Sequence, residues 1–229
     1  MYLSKKHKLL FIAVPRTASN SVQRVLMDSG ITDSSDIVRS LGPKGNWDLI
    51  NAYHTKPSEL INEGVLTPAE ISEYTAFGFV REPFERWVSS IFLARYTGVL
   101  DKSEDAFTQM CGLVRNNQSP RPFAQNGKPF QQPNYKAFSY RNFFFHGDTQ
   151  VIDAYRFEDV EAVTNRIISD KAGSSVTATF PHIQMNADGV PEQFRQPVAS
   201  WLPSDCYEKM QAYFADEIAF YNSIDYFSG

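Results

Sequence analysis

Six apolar residues, Leu9 to Val14, follow one another without a polar break and end at Pro15. A continuous apolar run bounded by a turn signal suits a strand covered on both faces, as in a parallel sheet. Beyond the turn, Ala18, Val22, Val25 and Leu26 recur at helical spacing, and Gly30 supplies a stop. The opening unit is therefore strand, tight turn, helix. "AFGFV" (76–80) reads as a second buried strand, and after Arg81 and Glu82 comes Pro83 with Phe84, Trp87, Val88, Ile91 and Phe92 on a helical stripe. "QVIDAYRF" is a third strand, followed by a helix burying Val160, Val163, Ile167 and Ile168.

Smaller elements fill the gaps. "WDLINAYHT" holds room for a short strand ending near His54, and Thr67 with Pro68 caps a short helix through Tyr74. A final helix starts at Ser204 with Cys206, Met210, Tyr213, Phe214 and Ile218 on its buried side. Residues 115–135, rich in Pro, Asn and Gln without a sustained period, read as a long loop that could cover a substrate. Strands alternating with helices predict an α/β fold, a mainly parallel central sheet flanked by helices.

A chain of 229 residues with 42% hydrophobic content can bury one ordinary core, so a single domain over 1–229 is expected. The net charge of -4 argues against a broad polyanion surface and makes nucleic acid a poor partner, while leaving room for a local basic pocket. Cys111 and Cys206 lack metal-site spacing and read as free thiols. The apolar run after "MYLSKKHK" is shorter than a secretory signal core, and no segment approaches a membrane span, so a cytoplasmic protein without a membrane partner is expected.

The turn after the first strand is the chemical centre of the reading. A helix start presents unpaired N–H groups and the positive end of the helix dipole, and small residues let an anion approach. Arg16 adds a fork-shaped positive charge, and Thr17, Ser19, Asn20 and Ser21 add neutral donors. Phosphate or sulfate is the natural guest, although the turn alone fits equally with capping hydroxyls beside a surface arginine. The nucleotide-triphosphate signature GxxxxGK[ST] is absent, because Gly127-Lys128 is followed by Pro129.

A second station lies at Arg81, where a strand of an open α/β sheet ends and ligands bind. Ser89 follows two helical turns on, with Arg86 at i−3 from it on the same face. Here the chain resembles the sulfotransferases that use 3′-phosphoadenosine 5′-phosphosulfate (PAPS), most closely the carbohydrate, heparan 2-O-sulfotransferase-like branch. "PRTASNS" is similar to that family's 5′-phosphosulfate motif P-K-T-[AG]-x-[TS]-[ST], and "VREPFERWVS" to its 3′-phosphate motif V-R-[DN]-P-x-x-R-x-x-S. "YHTKPSEL", "AYRFEDVEAV" and "FPHIQMN" carry weaker similarity, and residues 115–135 none.

The resemblance implies a P-loop-like sulfotransferase fold and transfer of a sulfuryl group from PAPS to an acceptor hydroxyl by in-line displacement, with a saccharide as one acceptor class and no metal. It puts Arg16 where the motif has lysine, on the bridging and sulfuryl oxygens; protein-tyrosine sulfotransferases also resemble this arrangement with arginine there. Thr17, Ala18, Ser19, Asn20 and Ser21 would bind the 5′-phosphate, and Arg81 with Ser89 the 3′-phosphate. His54, in the family's histidine segment, is the candidate general base, with Glu59 or Glu63 as substitutes. Two other readings stay open: a phosphotransferase with an atypical anion loop, and a non-catalytic nucleotide-binding module.

Overall fold

The computed structural model describes residues 1–32, 54–96, 111–112, 124–125, 128–129, 139–173, 177–180 and 196–228, with backbone alone at 91–96, 124–125 and 128–129. Along the chain run strands β1 (Tyr2–Ser4) and β2 (Leu9–Ile12), helices α1 (Ser19–Asp28), α2 (Pro57–Asn62) and α3 (Pro68–Ile71), strand β3 (Thr75–Val80) and helix α4 (Pro83–Tyr96). Strands β4 (Ala124–Gln125) and β5 (Lys128–Pro129), helix α5 (Tyr140–Phe144) and strands β6 (Phe145–His146), β7 (Thr149–Gln150) and β8 (Asp153–Arg156) follow. Helices α6 (Val160–Ala172), α7 (Ser204–Tyr213) and α8 (Ala215–Asn222) complete the order. Two compact units form, one from Met1–Arg81, Phe138–Ile183 and Ser223–Gly229, the other from Glu82–Ala137 and Gln184–Asn222.

The first unit holds a four-stranded sheet in the order β1-β2-β3-β8. β2 and β3 run parallel, from Leu9↔Thr75 to Ile12↔Gly78, and β3 and β8 run parallel, from Phe77↔Asp153 to Val80↔Arg156. Among the described strands of this sheet, β1 alone is antiparallel to its neighbour. The mixed α/β architecture with a mostly parallel sheet is thus the one the apolar runs predict. β1 is the addition: three residues carry no readable period, and a turn through Lys8 at φ 48° folds them back on β2.

Both faces of β2 are covered, since Leu9 to Val14 are each fully buried. On one face Leu9, Phe11, Phe77 and Phe79 meet Val22, Val25 and Leu26 of α1 and Val163, Ile167 and Ile168 of α6. Each such side chain contributes about 1.5–3 kcal/mol on burial. Phe77 and Phe79 meet edge to face at 5.8 Å. Gly78 lets the Phe144 ring approach β3: a Cβ there would lie 3.1 Å from the Ile12 oxygen and 3.2 Å from the Phe144 ring.

The second unit is helical where it is described, apart from the antiparallel pair β4–β5. That pair falls within the predicted 115–135 loop, the rest of which lies outside the described residues. Phe84, Trp87 and Val88 of α4 pack with Leu202, Cys206, Met210 and Phe214. Arg86, which sequence spacing set beside Ser89, is buried in an ion pair with Glu217, Nη1 to Oε1 3.5 Å. The single C-terminal helix expected from Ser204 is two helices, α7 and α8. The break is at Phe214, which leaves helical geometry at ψ 11° while its ring is buried against Phe84. Cys111 and Cys206 are buried thiols, neither of them in a disulfide. Among the described residues no helix is long and apolar enough to cross a membrane.

Candidate anion-binding site

The site begins where β2 ends. Within three residues the chain adopts left-handed backbone twice, at Arg16 (φ 67°) and Ala18 (φ 57°), neither of them glycine. Each such residue costs on the order of 1–3 kcal/mol and persists only where its surroundings impose it, most often at a ligand site. A left-handed residue leading into helical backbone also makes successive N–H groups converge, which is the geometry of an anion nest. Ala18 is the N-cap of α1 and has no side chain to cap it, and the first turn holds no acidic residue.

Thr17 and Ser19 are buried, and both hydroxyls donate to the Val14 carbonyl oxygen, at 2.9 and 2.6 Å. A hydroxyl has one hydrogen, so in this arrangement both side chains brace the turn from behind and leave their backbone N–H groups for a guest. Ser21 is buried on α1, and Asn20 is exposed at its first turn. The sequence counted four side-chain donors here, but the left-handed turn commits two of them to the loop itself.

Arg81 directly follows β3, the parallel neighbour of β2, so both arginines belong to the carboxyl edge of the sheet. Burial lowers the Arg16 guanidinium to a pKa of about 10, and the charge of Arg81 pushes in the same direction. Two guanidinium groups close enough to repel one another are relieved by a shared or bridging anion. The Arg81 guanidinium lies over the Phe157 ring at 4.7 Å. Its backbone N–H donates to the Tyr140 hydroxyl at 3.0 Å, and that hydroxyl donates to the Arg81 carbonyl oxygen. Sequence spacing had no signal for Tyr140 or Phe157 beyond their aromatic character.

His54 is half-buried, with Nδ1 2.5 Å from the Ala13 carbonyl oxygen. A carbonyl can only accept, so Nδ1 carries the proton and Nε2 is left as the basic nitrogen. Glu59 accepts from the Lys56 N–H at 2.8 Å and so caps α2, while Glu63 is exposed at the far end of that helix. The Glu59 carboxylate therefore has an ordinary helix-capping role. Ser89 is half-buried on α4 of the second unit. His182 and the strand expected before His54 lie outside the described residues. Arg156 donates to the Ile224 carbonyl oxygen at 2.6 Å and covers Tyr226. No cluster of three or more His, Cys, Asp or Glu side chains that could hold a metal occurs among the described residues.

No curated protein and no solved structure matches the chain. The model of the Sulfotransferase family matches residues 1–151, a span that contains the left-handed turn, His54, Arg81 and Tyr140. With two thirds of its length inside that match, the chain belongs to the Sulfotransferase family.

Proposed function

We propose that the protein transfers a sulfuryl group from PAPS to an acceptor hydroxyl, with a saccharide as the acceptor class, and that residues 1–229 work as one sulfotransferase domain. The observation that carries this reading is the pair Arg16 and Arg81, two cations at the ends of neighbouring parallel strands, with the charge of Arg81 adding to the burial that lowers the pKa of Arg16. A donor with a 5′-phosphosulfate and a separate 3′-phosphate offers each arginine an anion. The family match runs through sequence of both compact units, which supports the one-domain reading.

The residues fit such a donor. The convergent N–H groups from Thr17 to Ser21 would hold the 5′-phosphate in a P-loop-like cradle, and Arg81 the 3′-phosphate. PAPS, when bound, supplies the activated sulfuryl group and a bisphosphate leaving group. Arg16, with its pKa about 10, keeps its proton at neutral pH, so it acts as a fixed charge beside the oxygens that become more negative and not as an acid. His54 holds its Nδ1 proton on Ala13 and takes the acceptor hydroxyl's proton at Nε2. Positioning and charge stabilisation carry the rest, as they do in phosphoryl transfer.

The test is incubation with radiolabelled PAPS and a panel of saccharide, phenol and tyrosine-peptide acceptors. Label should move to the saccharide rather than to the phenol or the tyrosine peptide, and the transfer should depend on Arg16 and His54. Binding of the bisphosphate with no transfer to any acceptor would leave the non-catalytic module, and magnesium-dependent consumption of ATP would leave the phosphotransferase.

A further inference from the structure

Tyr140 is 1% exposed and lies beside Phe143 and Phe144, both fully buried. Packing alone would be met there by phenylalanine, and a buried hydroxyl is unfavourable unless it is bonded. Both bonds of this phenol go to one residue: it accepts from the Arg81 N–H and donates to the Arg81 carbonyl oxygen. The ladder between β3 and β8 ends at Val80↔Arg156, so Arg81 is the first residue beyond it. A side chain 59 positions away in sequence thus supplies the two bonds that a continuing strand would make. Its ring is fixed in turn by edge contact with Phe144, 6.4 Å between centroids. Phe157 lies under the guanidinium of the same arginine.

A backbone rotation at residue 81 that re-aims the side chain must break this two-point bond, and a side-chain rotation must leave the Phe157 ring. We infer that Tyr140 is a positioning residue for Arg81: its phenol locks the Arg81 backbone so that the guanidinium, backed by Phe157, is held ready for a ribose 3′-phosphate. The inference rests on the sulfotransferase reading above. Its physical content is preorganisation, because an arginine already held in place loses less conformational freedom when the phosphate binds.

Tyr140→Phe keeps the ring and removes both bonds. The full chain, Tyr140→Phe, Arg81→Ala and the double variant are titrated with adenosine 3′,5′-bisphosphate and with adenosine 5′-monophosphate. Tyr140→Phe should lose about tenfold in affinity for the bisphosphate, the scale set by losing the hydrogen bonds that fix one group. Affinity for the monophosphate should hold, and the double variant should bind the bisphosphate no worse than Arg81→Ala. Equal loss for both ligands, or a full 3′-phosphate preference retained in Tyr140→Phe, overturns the positioning role while leaving the PAPS reading intact. No 3′-phosphate preference in the unmodified chain overturns both. Hydrogen exchange in the unmodified chain gives a check independent of any variant: the Arg81 amide should exchange slowly although it lies past the ladder, and exchange at open-loop rates contradicts the clamp.

Discussion

His54 Nδ1 donates to the main-chain oxygen of Ala13, the residue that continues β2 toward the left-handed turn. The bond does two things at once: it fixes the imidazole tautomer, and it ties the candidate base to the strand whose end carries Arg16. A His54→Ala variant should therefore lose turnover by about 10²–10⁴, the range for a general base. Its affinity for adenosine 3′,5′-bisphosphate should be unchanged. Steady-state rates beside a binding titration check both halves, and equal loss in each would make His54 a structural residue.

Arg16 is buried enough that its charge is already disfavoured, so a guest anion gains from it more than from a surface arginine. Removing it as Arg16→Ala should lower turnover by about 10²–10³, as removal of one oxyanion donor does. Arg16→Lys should recover part of that loss, because the motif of the family has lysine at this position. Turnover of the two variants under saturating donor is the measurement, and an unchanged rate in Arg16→Ala contradicts the assignment.

The pH dependence of donor binding follows from the same group. A cation whose pKa is lowered to about 10 is charged below that value and loses its charge only as pH rises through it. Bisphosphate affinity should then change by less than about twofold between pH 7 and 9, where Arg16 stays protonated. Calorimetry at three pH values checks this, and a steep fall across that window would mean that another group holds the anion.

Ala18 sits at φ 57° without being glycine. Ala18→Gly should raise stability by about 1 kcal/mol, since the left-handed penalty of the alanine is removed, and bisphosphate binding should survive. Ala18→Val should do the reverse on both counts. Urea unfolding with and without ligand reads this out, and a Gly variant less stable than the parent would contradict strain at this position.

In the second unit the buried pair of Arg86 and Glu217 makes a separate claim. Glu217→Gln leaves a buried guanidinium short of its counter-charge and should cost about 3–5 kcal/mol. Denaturant midpoints measure it; a loss below about 1 kcal/mol, the exposed-pair range, would mean that the pair is solvated.

The parts of this molecule that were legible in sequence are those set by local pattern. The run Leu9–Val14 announced a strand covered on both faces, and it is buried throughout. Thr67 with Pro68 announced a capped helix, and Thr67 accepts from the Glu70 N–H at 3.1 Å. Arg16 and Arg81 could be set at strand ends because each follows an apolar run. What stayed hidden depends on partners far away in sequence or on the direction a turn imposes. Glu217 beneath Arg86 and Tyr140 behind Arg81 have no local signature. Thr17 and Ser19 read as ligand donors, and the sequence carries no sign that their hydroxyls also donate to the Val14 carbonyl oxygen. β1 was too short to show a period, and Phe214 interrupts the C-terminal helices although its spacing continues the stripe.

In the proposed function Arg16 and Arg81 stand at two anions of one ligand. Calorimetric titration of the unmodified chain and of Arg81→Ala with adenosine 3′,5′-bisphosphate, adenosine 5′-monophosphate and Mg-ATP tests it most directly. The account predicts that the unmodified chain prefers the bisphosphate over the monophosphate by about tenfold or more, and that Arg81→Ala abolishes the preference while keeping monophosphate affinity. Equal affinity for bisphosphate and monophosphate, or tighter binding of Mg-ATP, would contradict it.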